Sequence, residues 1–335
     1  MRERMRDMNG YTQKMISVVV FSLLLLLSMP VYAQQDPLFT QYVNSPLSMN
    51  AAYTGNRNSL ALDLGVRQQW VGVEGAPKSY YLSAHSPINK SRVSLGGYLL
   101  SDEAGPVVSR QVHGTYSYLV RMSNKMFLSL GASGGVHLYN IGLTGLNLGD
   151  AADPYFGFNI TNRVKPSFGV GAVLFTPNYY VALSCPQLLL SRFSYSGIDS
   201  GVYASDHHFY LNGGYTYVLN KHQSMRFSSL VRLLPSGENV IDLNVILNYN
   251  KYLWVGASYR FGQALAGMLN FQLNRNWGIC YSYDFYTNRT SYFNSGAHEI
   301  TLSYDCYKFY KKNKYRNFKR KSADKEEEMR SIRYF

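Results

Sequence analysis

The chain has 335 residues, with 30 Tyr, 17 Phe, 16% charged residues, a formal net charge of +13 and a mean hydropathy of -0.20. Charge this sparse lies well below the roughly 25% of a soluble domain, and the negative hydropathy excludes a bundle of membrane-spanning helices. Sparse charge, abundant Tyr and Gly and a near-neutral hydropathy fit a β-rich chain with an apolar outside and a polar inside.

Residues 1–14 are polar and net basic, and residues 15–29, "MISVVVFSLLLLLSM", form an apolar run too short for a bilayer span. Pro30 breaks the run, and Val31 and Ala33 occupy the small-residue positions of a cleavage site. Residues 1–33 therefore read as a signal peptide cut between Ala33 and Gln34, with an uncleaved anchor as the alternative. No Cys follows the site, which excludes a lipoprotein signal. Beyond residue 33 no run of eighteen apolar residues occurs, so no helical span is expected.

Residues 34–58 open with "QQDPLFTQYVNSPLSMNAAYTG", which has the period of neither a helix nor a strand. The stretch is too irregular to cross lipid and too apolar for a free tail, because Phe39, Tyr42, Leu47, Met49 and Tyr53 need cover. It reads as a plug or docking segment that begins on the periplasmic side and folds into the mouth or lumen of the β-rich body. A disordered leader is the alternative. Asp36, Pro37, Phe39, Gln41, Tyr42, Pro46, Asn50 and Tyr53 are its candidate contact residues.

Alternation of period two begins at Ser59. Leu60, Leu62, Leu64, Val66 and Trp70 share one face, and Ala61, Asp63, Gly65, Arg67 and Gln69 share the other. Similar segments occur at about 79–86, 91–100, 110–120, 127–137, 166–176, 178–184, 206–219, 225–233, 239–249, 252–261, 264–273, 276–286 and 297–307. The sum is about fourteen strands, of the length that crosses a bilayer when tilted. A soluble sandwich also alternates, but the strands are long and many, Tyr, Trp and Phe cluster at their ends, and the leader directs export.

The connections alternate. Short ones fall at 87–90, 121–125, 176–178, 220–224, 248–252 and 274–276, and mostly longer ones at 71–78, 101–109, 138–165, 185–205, 234–238, 262–263 and 287–296. Tight turns on one side and long loops on the other describe a transmembrane barrel. An open strand edge has no partner in hydrocarbon, so the last strand, "HEITLSYDCYKF", must pair with the first near 60–70. Residues 59–307 thus form the barrel, and an even strand number places both termini in the periplasm.

Asp63, Arg67, Arg226, Arg232, Asp242, Arg260, Asp284 and Glu299 fall on the polar, inward face. Buried there they must pair or be hydrated. They form a structural charge network, or else a binding or conduction path. His113, His137 and His208 fall in the lumen or at its rim. "GASGG" at 131–135 lies mid-strand without the Lys-Ser/Thr of a phosphate loop, so its glycines serve close packing or a bend. Cys185, Cys280 and Cys306 are odd in number and lack ligand spacing, and read as packed side chains rather than disulfides or a zinc site. The sequons at Asn159 and Asn288 fall in outer loops and read as chance. No catalytic spacing, metal set or cofactor motif emerges. The tail, 308–335, is basic: residues 307–335 hold 11 Lys/Arg against 4 Asp/Glu. It is a solvated charge run or a periplasmic contact arm. Because the excess charge sits there rather than on the body, no nucleic-acid partner is expected.

These segments resemble the PorP/SprF family of type IX secretion outer-membrane proteins. The resemblance rests on "QDPLFTQYVNSPLSMNAAYTG", "QQWVGVEGAPKSYYLSAHSPI", "DEAGPVVSR", "YSYLV", "SFGVGAVLFTPNYYVALSCPQLLL", "SSLVRLLP", "IDLNV", "WVGASYR", "YSYD" and "HEITLSY", in order across nearly all of 34–305. Ala51 stands where the family pattern N-P-A-Y has Pro, and the basic tail is an addition. The resemblance implies a barrel without enzymatic activity in the outer-membrane lipid, taking part in type IX secretion. It also implies, as partners, periplasmic components of the secretion and gliding machinery or a secreted cargo such as an adhesin. A general porin is the alternative function.

Overall fold

The computed structural model describes residues 38–57, 59–88, 91–144, 159–189, 191–195, 198–205, 207–220, 222–235, 239–250 and 252–307, with the backbone alone over 191–205. Fourteen antiparallel strands close into a barrel. In chain order they are β1 (Leu60–Gln68), β2 (Lys78–Pro87), β3 (Val93–Ala104), β4 (Val107–Arg121), β5 (Phe127–Ile141), β6 (Ile160–Phe175) and β7 (Tyr179–Cys185), then β10 (Phe209–Val218), β11 (Ser224–Leu233), β12 (Val240–Asn248), β13 (Leu253–Arg260), β14 (Ala264–Gln272), β15 (Trp277–Tyr286) and β16 (Ala297–Cys306). Between β7 and β10 a hairpin of β8 (Ser191–Tyr195) and β9 (Ile198–Ser205) stands outside the barrel sheet. No described helix is long and apolar enough to cross a membrane.

Closure results from pairing the ends of the sheet: β1 runs antiparallel to β16 from Leu60↔Cys306 to Gln68↔His298. Along each strand the buried and exposed residues alternate. On β12, Asp242, Asn244 and Ile246 are buried while Ile241, Leu243 and Val245 are exposed. On β4, Gln111, His113, Thr115 and Ser117 are buried while Val112, Tyr116 and Tyr118 are exposed. This inverts the soluble rule. Leu, Val, Ile and aromatic side chains cover the outside, where hydrocarbon receives them, and the polar residues turn into the lumen.

Two long loops expected from sequence are shorter than expected. The charged stretch after Leu100 pairs in register, with Asp102↔Ser109 and Ala104↔Val107, so a tight turn at Gly105 and Pro106 replaces the loop expected at 101–109. β5 runs on to Ile141 and β6 starts at Ile160, bulged where the Asn140 side chain accepts from the Asn162 amide at 2.7 Å. β3 to β6 thus form a taller section of wall. Polarity marked these residues as loop, but strand pairing with neighbours of equal length overrides composition. In the same way the loop expected at 185–205 contains the β8–β9 hairpin.

Candidate functional site

Residues 38–57 lie inside the barrel. Leu38, Thr40, Gln41, Tyr42, Val43, Leu47, Asn50, Ala51, Ala52, Tyr53, Thr54 and Arg57 are buried. Two short 3-10 turns, Pro46–Ser48 and Ala51–Tyr53, fold the segment back on itself. Pro46 opens the first, where its missing N–H costs nothing. Asn50 caps the second, its Oδ1 accepting from Ala52 N at 2.9 Å. With its other side-chain atom Asn50 reaches the wall, Nδ2 donating to the carbonyls of Ala172 at 3.4 Å and Leu183 at 3.3 Å.

Two glycines of the wall make this approach possible. Gly131 on β5 and Gly171 on β6 are paired neighbours. A Cβ on Gly131 would fall well inside 3.0 Å of the Ala51–Ala52 backbone, and one on Gly171 would meet the Asn50 side chain as closely. The "GASGG" run therefore gives the segment's backbone room to touch the sheet. Around it, Ser129 Oγ donates to Ala52 O at 2.7 Å, Ser117 Oγ to Thr54 O at 2.7 Å, Thr54 Oγ1 to Thr115 Oγ1 at 2.9 Å and Ser184 Oγ to Met49 O at 2.8 Å. Apolar contacts complete the fit: Leu47 packs with Tyr81, Tyr98 and Leu100, Phe39 stands 5.8 Å from the Tyr81 ring, and Tyr42 packs with Tyr210, Leu230 and Val240.

The charges form two clusters, and each clamps the segment. At one end Arg67 forks to Asp284 Oδ2 at 2.7 Å and Glu299 Oε2 at 2.8 Å, and Arg260 bridges Asp242 at 3.3 Å and Asp284 at 3.8 Å. Glu299 accepts the backbone amides of Thr40 at 2.8 Å and Gln41 at 3.0 Å, and Thr40 Oγ1 donates to Asp284. Gln41 Nε2 donates to Ser282 Oγ at 3.1 Å, and Tyr42 OH to Asp242 Oδ1 at 3.3 Å. At the other end Arg57 pairs with Asp63 and lies 3.8 Å from Asp305, which also accepts from Ser59 Oγ at 2.6 Å. Among the described residues the buried charges are five arginines (57, 67, 226, 232, 260) and five carboxylates (63, 242, 284, 299, 305), so the interior is electrically neutral. Neutrality and dense hydrogen bonding are what allow charges into a closed lumen.

Position along the strands fixes the direction of the segment. Arg67, Asp284, Glu299 and Arg260 all lie near the strand ends that carry the long loops. His85, Ser94, Ser129 and Asp305, which meet residues 52–59, lie near the tight turns. The described chain therefore starts at the long-loop end of the lumen and runs down to β1. This corrects the expectation that the segment begins on the side where the last strand ends. The strong donors and acceptors for Thr40 and Gln41 sit at the far end, and an apolar, amide-rich strand of chain reaches them only by passing through the lumen.

Burial raises the Tyr42 hydroxyl well above the ordinary tyrosine range, with Asp242 acting in the same sense, and burial does the same to Tyr53. Both stay protonated donors, Tyr53 to Asn212 Oδ1 at 3.3 Å. Burial would lower the Arg57 guanidinium, but Asp63 and Asp305 outweigh it and the group is raised.

Of the residues singled out from sequence, Phe39, Gln41, Tyr42, Pro46, Asn50 and Tyr53 meet in the lumen, and Asp63, Arg67, Asp242, Arg260, Asp284 and Glu299 join the two clusters. Arg226 and Arg232 also face the lumen, from β11, and the Arg226 charge acts on Tyr53. Ala33, Gln34, Asp36, Pro37 and the tail lie outside the described residues. Sequence reading missed Thr40, Arg57, Asp305, Gly131 and Gly171 as site residues. Arg57 carried a signal, being the sole Lys or Arg between residues 34 and 66. His113 and His137 meet in the lumen with Nε2 atoms 2.9 Å apart. The three cysteines are free and buried, and no cluster of metal-ligating side chains occurs among the described residues.

Residues 31–304 match the family described as type IX secretion system membrane protein PorP/SprF. The chain belongs to this family. PorP/SprF membership and the closed barrel together make it an outer-membrane component of type IX secretion. A search of curated proteins finds no match. Solved structures that it resembles include three remote ones. Omp33 of Acinetobacter baumannii has 9% identity and a TM-score of 0.44, covering 74% of this chain and 98% of that one. The toluene transporter TbuX of Ralstonia pickettii has 12% identity and a TM-score of 0.43, covering 77% and 92%. A FadL homologue of Pseudomonas aeruginosa has 12% identity and a TM-score of 0.43, covering 76% and 93%. Likeness of this degree carries no inference about cargo or conduction.

Proposed function

We propose that this PorP/SprF barrel is a non-conducting, non-enzymatic scaffold that serves type IX secretion by holding a protein partner, either a periplasmic component of the machinery or a secreted cargo. The observation that carries the reading is the occupied lumen. A porin needs a water-filled path, whereas here residues 38–57 fill the interior through hydrogen bonds, ion pairs and apolar contacts to the wall. Two cavities beside the segment, among the described residues, measure about 20 and 40 Å³, each with room for a few waters. In this reading the tight turns face the periplasm and the long loops face outward.

Two measurements test it together. The purified barrel in planar bilayers is expected to show no steady conductance, and deletion of the gene is expected to leave at least one type IX cargo unexported. Steady conductance combined with normal export of every cargo would make the chain a porin and end the scaffold reading.

A further inference from the structure

The turns at one end of the barrel carry charge of a single sign. The connections at the tight-turn end, residues 88–92, 122–126, 176–178, 219–223, 249–252 and 273–276, contain no Asp or Glu. Among their described residues, Arg92, Lys125 and Arg275 are exposed, and half-buried Arg121 ends β4 beside them. Among the described residues of the long-loop connections both signs occur, with Glu74 and Arg289 exposed.

The basic groups are also aimed. Arg121 continues the inward row of β4 that holds Thr115, Ser117 and Leu119. Its guanidinium lies 5.6 Å over the ring of Phe127, a buried lumen-facing side chain, and donates to Ser123 O at 3.1 Å. The Arg275 guanidinium lies 5.0 Å over Tyr307, just past the last strand. A cation that served the lipid headgroups would extend outward from the barrel wall. Arg121 instead stays on the inward row, held over Phe127 and by the Ser123 carbonyl.

We infer that the tight-turn mouth is a docking face for an acidic protein surface. The inference rests on the scaffold reading above and adds which face is used and what charge the partner presents. Rim charges of one sign attract and orient an oppositely charged partner, and their effect weakens with salt.

The test uses the full-length protein in phosphatidylcholine nanodiscs with a polyglutamate peptide as probe. The wild type is expected to bind the peptide at low salt and to lose it as salt is added. R92Q/K125Q/R275Q is expected to bind about tenfold more weakly. The basic tail is present in both proteins, so the difference reports the turns. Heat-modifiable mobility checks that the variant barrel is folded, and K125Q/R275Q, which changes only exposed turn residues, repeats the comparison should the triple variant fail to fold. Equal affinity in a folded variant overturns the inference. So does a variant that differs from wild type only in binding phosphatidylglycerol vesicles, which would make the rim a lipid contact. In cells, the variant is expected to reach the outer membrane without restoring export to the deletion strain. If it restores export fully, the docking face is wrong and the scaffold reading stands; if deletion itself has no export defect, the scaffold reading fails independently.

Discussion

Replacing Gly131 with Val should drive the segment out of the lumen while leaving the barrel intact. A Cβ at this position falls well inside 3.0 Å of the Ala51–Ala52 backbone, where ordinary contact begins at 3.4 Å, so the segment must retreat by about 1 Å. The neighbouring bonds cannot follow. Ser129 to Ala52 O at 2.7 Å, Ser117 to Thr54 O at 2.7 Å and Asn50 to Ala172 O and Leu183 O all lengthen together. Overpacking costs about 1–3 kcal/mol, and each buried bond lost costs about 1 kcal/mol net. The seated segment is then destabilised by about 5–7 kcal/mol, a shift of roughly four to five powers of ten in the seated population. Chymotrypsin in mild detergent reads this directly, because Tyr42 and Tyr53 are buried cleavage sites that the wall protects. The variant should be cut within residues 38–57 while its heat-modifiable mobility stays that of a folded barrel. Gly267→Val is the control, since nothing stands within 4 Å of a Cβ there. A Gly131→Val protein as resistant as wild type would refute the close approach on which the lumenal placement depends.

The same contacts give three further expected outcomes. Arg67→Met leaves Asp284 and Glu299 buried without their shared cation and should lower stability by about 3–5 kcal/mol, read as a lower urea midpoint. Arg67→Lys should recover only part of it, since an ammonium cannot fork to both carboxylates, and an unchanged midpoint in the Met variant would break the clamp. Tyr42 and Tyr53, both raised by burial, contribute stability that is fully present below about pH 10 and is lost as pH rises through their higher folded-state values. The gap between wild type and Y42F/Y53F should therefore be constant at neutral pH and close only in strong alkali; a gap that closes below about pH 10 would contradict their burial. Finally, Gln41→Cys with Ser282→Cys, in a Cys280→Ala background, should be bridged by a short bismaleimide, because the Gln41 side chain spans the gap to Ser282, its Nε2 3.1 Å from the Ser282 hydroxyl near the long-loop end. Peptide mapping that finds both thiols free would place the start of the segment elsewhere.

The barrel was legible because its rule is local. Lipid outside and a polar lumen impose period two on each strand, so Ile241, Leu243 and Val245 against Asp242 and Asn244 announce their faces without any knowledge of neighbours. Closure was legible too, since hydrocarbon tolerates no open edge. The heights of β3 to β6 were not, because Asp102 and Glu103 look like loop until their partners across the sheet are known.

The sequence alone thus determined a closed, fourteen-stranded wall and a set of inward charges that had to be neutralised. Only the tertiary structure decided which charges meet and where the first segment goes. Thr40 and Glu299 are 259 residues apart, and no local period links them. Their contact exists because closing the barrel brings β1, β15 and β16 together, and because two glycines on the opposite wall leave room for the backbone that connects them to Arg57. Side-chain periodicity reports which way a residue points, while barrel closure and register set what it meets there.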